Sequence, residues 1–276
     1  MKTSLPKLKN SLIPFFILIF GISNAQTIHR NFKFKKGDEF QRQIVIKSNS
    51  VLARGDQKLN ISSYSAVTKT YKVIDVAGRD PFISITINKI VDTVNAMGQK
   101  MEFNSDKKPD PNSDIQMALM QLIGKSAVIS VDDKGAIATV QKRIPMNDTL
   151  LSFTGMQAEH LYVHNTLEFL LDFPSNSFLK KGFTWADATP TSETNFTIHA
   201  ITSRTTTITY TSSDRSDNLN SRINGVILID NESGIILKRA TQSVTTGYEL
   251  VKGVIYTATR RTATSEVCYK KPASAK

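Results

Sequence analysis

Apolar and polar positions alternate along much of the chain. Ile83, Ile85 and Ile87 are spaced by Ser84, Thr86 and Asn88, and Phe196, Ile198 and Ala200 by Thr197 and His199. A period of two turns one face inward and the other to water, the pattern of a half-buried strand. Threonine crowds the second half, in TTTITYT (205–211) and YTATRRTAT (256–264). β-Branched side chains suit the pleated face of an antiparallel sheet. VISVDDKGAIATV (128–140) and VILIDNESGIILKR (226–239) each place two apolar arms around an Asx-rich, glycine-ended turn. That is hairpin chemistry, and neither loop has the ligand spacing of a calcium-binding loop.

Two segments carry helix signals instead. Ser113-Asp-Ile-Gln116 is a capping box before Ala118, Leu119 and Leu122, with Gly124 as the stop. Thr154-Gly-Met-Gln157 is a second box, predicting a helix over 155–171 that ends before Pro174. FNSDKKPDP (103–111) is a polar loop, and the tail 269–276 is expected to be disordered.

One motif is written twice. FKKGDEF (34–40) and LKKGFTW (179–185) share apolar–Lys–Lys–Gly–x–x–aromatic, and a run of strands follows each. The expected architecture is mainly β (α+β): long antiparallel strands in a curved sheet or half-open barrel, two related halves at about 30–150 and 175–268, and two helices packed against the sheet. Chance recurrence of a Lys-Gly turn is the rival to duplication.

The first 25 residues differ from the rest. Lys2, Lys7 and Lys9 precede an apolar run from Leu12 to Ile22, and Ser23-Asn24-Ala25 supplies small residues before Gln26. This is the layout of a secretory signal cleaved between Ala25 and Gln26, leaving 26–268 as one β-rich domain. The apolar run falls well short of the ~20 residues a spanning helix needs. With Gln rather than Cys at position 26, no lipid anchor is expected there. The expected location is therefore periplasmic or secreted.

Charge and cysteine content refine this picture. The chain carries +11; loss of the three signal lysines leaves 32 basic against 24 acidic residues, or +8. Such an excess favours lipid headgroups or an anionic envelope surface as partner, and nucleic acid is not expected for an exported chain. Cys268 is the only cysteine, so no intrachain disulfide can form.

Candidate chemistry is sparse. His160 and His164 lie four apart in EHLYVHNTLE (159–168), a spacing that on a helix places two rings on one face as a metal pair. A polar helix face explains them as well, and Glu168 lies too far along the axis to join. Ser177-Phe-Leu-Lys180 with Ser216-Asp217-Asn218 imitates penicillin-recognising enzymes, but lysine and glycine follow at once where a long helix is needed. The chain has no G-x-S-x-G, phosphate loop, G-x-G-x-x-G or C-x-x-C, so no catalytic residue and no cofactor is assigned. Trp185, the only tryptophan, suits either a core anchor or a ligand groove.

Taken in order, KKGDEF, YKVIDVAGRD (71–80), LIGKSAVISVDDKGAIATV (122–140), LKKGFTW and GVILIDNESGIILK (225–238) resemble a domain-of-unknown-function family of exported bacterial proteins. The resemblance covers roughly residues 30 to 267 and implies no catalytic residues. The layout is also similar, at the level of fold, to the half-open barrels of lipoprotein and lipid carriers. The reading that follows is a non-enzymatic binding or carrier module for an apolar or amphipathic ligand. Leu167, Phe169, Leu170, Leu171 and Trp185 are its candidate groove residues, with a place in the plain core as the alternative for each. The alternative is an envelope structural or protein-interaction module, with an enzyme third.

Overall fold

The computed structural model describes residues 32, 34–78, 80–144, 161–171, 174, 179–251 and 253–271. The signal segment with Ala25 and Gln26, the capping box at 154–157, His160 and the tail beyond 271 lie outside the described residues. The first half of the chain forms β1 (Glu39–Arg54), β2 (Gln57–Ala77), β3 (Asp80–Ala96), β4 (Gln99–Asn104), α1 (Asp114–Leu122), β5 (Ser126–Val131) and β6 (Ile137–Lys142). The second half forms β7 (Thr184–Ala188), β8 (Ser192–Ile201), β9 (Thr205–Arg215), β10 (Leu219–Asp230), β11 (Ile236–Val251) and β12 (Val254–Lys270).

Among the described residues, twelve strands join one curved, unclosed antiparallel sheet, in the order β6-β5-β3-β2-β1-β12-β11-β10-β9-β8-β7, with β4 beside β3. Each half meanders in the same direction across the sheet. The last strand returns to the centre, where β12 pairs with β1 from Phe40↔Lys270 to Ala53↔Thr257. Tyr269 and Lys270 thus belong to a central strand rather than to the expected tail, and the Lys271 amide donates to the Glu39 carbonyl.

Alternation places Val67, Tyr71 and Val73 of β2 and Ile83, Ile85 and Ile90 of β3 on one inner face, where they are buried. Helix α1 lies on that face. The Ser113 hydroxyl accepts from the Gln116 amide at 3.3 Å, satisfying one free N–H of the first turn. Leu119 and Leu122 then pack on Val67, Ile87, Ile90 and Phe103. Full burial of such side chains contributes about 1.5–3 kcal/mol each.

Among the described residues the second helix is not found. Its described part, 161–171, is turns and isolated bridges that cross the inner face. His164 sits at φ +75°, a left-handed conformation incompatible with a helix interior. The backbone instead bonds outward on both sides. The Ile137 amide donates to Asn165, the Leu167 amide to Gly135 and the Ile236 amide to Phe169, all at 2.9–3.0 Å. A short apolar run buried between two hairpins satisfies its backbone better this way than as a helix.

Candidate ligand-binding face

The two Lys-Lys-Gly turns are built alike. Gly37 has φ +91° and Gly182 φ +82°, which only glycine adopts without strain. The Gly37 amide donates to Val73 and the Val73 amide to Asp38; the Gly182 amide donates to Ile198 and the Ile198 amide to Phe183. Val73 and Ile198 both lie on the second strand of their half. Each turn therefore locks a first strand to a second at the same end of the sheet.

That end is filled. Leu167, Phe169 and Leu170 are buried against Phe40, Tyr71, Val73, Ile129 and Ile137, and Leu171 joins a neighbouring cluster with Leu179, Ile198 and Ile236. These four expected groove residues are thus buried in two core clusters. Phe32 wedges between the hairpin glycines, since a Cβ on either Gly135 or Gly234 would come within 2.7 Å of its ring. An ion network holds the crossing segment down. Arg42, buried on β1, donates to Glu168 from one nitrogen and to Glu266 at 2.7 Å from another, with the Tyr71 hydroxyl at 3.2 Å. Arg239 donates to the Glu168 carbonyl at 3.2 Å. A buried guanidinium is tolerated only with such partners. Glu168 acts here as an anchor for that segment. Among the described residues, no group of three metal-ligating side chains occurs.

Trp185 stands apart from that base. Half-buried on the inner face of β7, it stacks on Phe196 of β8 with centroids 4.9 Å apart and planes 13° apart. Phe183 lies 6.0 Å from Trp185 on one side, and Tyr210 of β9 lies 5.7 Å from Phe196 on the other. The row continues because Gly225 of β10 leaves room: a Cβ there would overlap the Tyr210 ring. The Tyr210 hydroxyl reaches Thr241 of β11 at 2.7 Å. Strand alternation places each of these residues inward, but only the register brings them into one row, which no single-strand pattern shows.

Beyond the row the inner face turns polar, and its hydroxyls pair across strands: Thr194 with Ser212 at 2.8 Å, Ser221 with Thr245 at 2.8 Å and Ser48 with Thr262 at 3.2 Å. Arg260 bridges Ser50 at 3.1 Å and Glu249 at 2.7 Å. Two open clefts lie toward this end of the sheet: one of about 550 Å³ on the opposite, outward face between Ser213, Arg222 and Thr246, and one of about 310 Å³ between Ser50, Ile61 and Met97.

One buried acid stands out. Asp92 of β3 faces Ser65 of β2, and neither carboxylate oxygen makes a hydrogen bond of normal geometry. Burial pushes its pKa up to about 7, and the nearby Ser65 hydroxyl and Thr93 amide offset this only in part. Burial likewise raises the Cys268 thiol to about 11, which removes its thiolate at neutral pH.

No family model and no curated protein matches the chain. Among solved structures, one described as showing lipid–protein interactions in lipovitellin overlays 88% of this chain with a TM-score of 0.53 at 10% identity. The match takes in only 26% of that chain, so the present chain spans about a quarter of it. An outer-membrane channel from Pseudomonas putida F1 covers 87% of this chain and 98% of its own at 6% identity, but its TM-score of 0.21 carries no argument. At the level of fold alone, the chain is similar to part of lipovitellin.

Proposed function

We propose that the protein is an exported, non-enzymatic binding or carrier module for an amphipathic, lipid-like ligand. The observation that carries this reading is the aromatic row Phe183–Trp185–Phe196–Tyr210, half-buried on the inner face of a sheet that does not close. Stacked rings offer a wide apolar surface to a hydrocarbon chain, and the adjoining Ser/Thr hydroxyls and Arg260 offer polar partners to a headgroup. The fold likeness to part of lipovitellin, a protein described by its lipid–protein interactions, supports the same reading by analogy. Export rests on the signal pattern before Gln26.

The test is native mass spectrometry on protein purified from the periplasm or medium of an exporting host without detergent. The expected result is a mass beginning at Gln26 together with a lipid-sized adduct that organic solvent removes. Trp185→Ala with Tyr210→Ala is expected to weaken retention of the adduct at least tenfold, because two of the four rings are gone. A mass free of adduct in the wild-type protein overturns the ligand reading.

A further inference from the structure

The hairpin joining β11 to β12 runs past the rest of the sheet. Pairing with β10 ends at Leu219↔Gly247, and pairing with β1 ends at Ala53↔Thr257. Residues 249–251 and 253–256 thus stand out as a two-stranded tip held by Glu249↔Tyr256, Leu250↔Ile255 and Val251↔Val254. On its outward face Leu250 is 69% exposed, Ile255 64% and Tyr248 58%. Three large apolar side chains in one exposed cluster on a ribbon with two free edges invite a partner.

The same face carries the charge that says which partner. Behind the tip, register places Arg222 of β10 and Arg261 of β12 on either side of Val244. Arg215 of β9 lies on that face opposite Asn220, and Lys47 of β1 lies opposite Ala263. All four cations are exposed. An apolar tip backed by a tyrosine and then by exposed cations matches the layering of a bilayer surface, with acyl chains, the headgroup boundary and phosphates in turn.

We propose that this outward face docks on an anionic phospholipid membrane. Tyr248, Leu250 and Ile255 enter the headgroup–acyl boundary, and Arg215, Arg222 and Arg261 reach the phosphates. The tip is on the opposite face from the aromatic row, so docking does not require that the row hold a ligand.

The test is flotation of the purified protein with phosphatidylcholine vesicles, with and without phosphatidylglycerol. Binding is expected with the anionic lipid, weakening as salt rises. Leu250→Ser with Ile255→Ser is expected to reduce it at least tenfold, and Arg222→Gln with Arg261→Gln to reduce it and flatten its salt dependence. All these residues are exposed, so circular dichroism and the melting temperature are expected to match wild type in both variants. Absence of the wild-type protein from anionic vesicles overturns the proposal, as does undiminished binding of the apolar variant. A wild-type dimer that the apolar variant dissociates also overturns it, because the tip then meets a second copy of the chain.

Discussion

At the residue scale, the inner face turns on side chains whose reasons lie on other strands. Gly225 is glycine because the Tyr210 ring occupies the space its Cβ would take, not because of its backbone angle. Gly225→Ala should displace that ring, lose its bond to Thr241 and cost about 1–3 kcal/mol in urea unfolding. The intrinsic fluorescence of Trp185, one ring further along, should shift with it; an unchanged spectrum means that the row does not act as a unit. Asp92 makes a different prediction. Folded, it keeps its proton up to about pH 7; unfolded, it loses it near the ordinary 3.8. Between those values the unfolded chain binds fewer protons, so stability falls as pH climbs from about 4 to about 7 and then levels. Asp92→Asn removes the titration. Wild type should therefore melt at a higher temperature at pH 5 than at pH 8, and the variant should show a smaller gap between the two. An equal gap in both assigns the effect to other groups. Neither residue is legible beforehand, since a glycine and an aspartate in a strand give no sign of what faces them.

At the element scale, what could be read from sequence was whatever depends on neighbours in the chain. Period-two runs located β3 and β8, Asx-Gly turns located the hairpins β5–β6 and β10–β11, and the Ser113 box located α1. The segment 161–171 carries a false helix signal because its apolar residues satisfy a helical period about as well as a buried extended one. The deciding bonds come from Gly135, Ile137 and Ile236, which are distant in sequence or belong to turns. The four apolar residues of that segment, candidates for groove or core, are buried in the core, and only Trp185 of the five lies in the aromatic row. The repeated Lys-Lys-Gly motif resolves into two turns with the same hydrogen bonds, so its glycines should respond alike. Gly37→Ala and Gly182→Ala each force a side chain into a left-handed conformation with no neighbour in the way. Strain alone should cost about 1–2 kcal/mol in each, measured as a shift in the chemical-denaturation midpoint. A cost at one site and none at the other would show that the turns are not equivalent.

At the scale of the molecule, the topology sets an order for folding. Within each half consecutive strands pair through short hairpins, except that β5 passes over β4 and α1 to pair with β3. Within the sheet, the two halves are joined where β12, at the end of the chain, pairs with β1 near its start, a closure spanning most of the sequence. Loop entropy and the slow formation of long-range sheet pairs make this seam the late step. Two single residues report on the two stages. Trp185 lies in the local β7–β8 hairpin, and Cys268 is buried on β12 opposite Arg42 of β1. In refolding from denaturant, Trp185 fluorescence should recover in a faster phase. Protection of Cys268 from pulsed thiol labelling should develop in a slower one. The native thiol, with its pKa pushed up to about 11 and its side chain buried, should react orders of magnitude more slowly than the unfolded one, which gives the pulse its contrast. If both probes instead recover with one rate constant, the seam belongs to the folding nucleus, and the two halves do not form ahead of it.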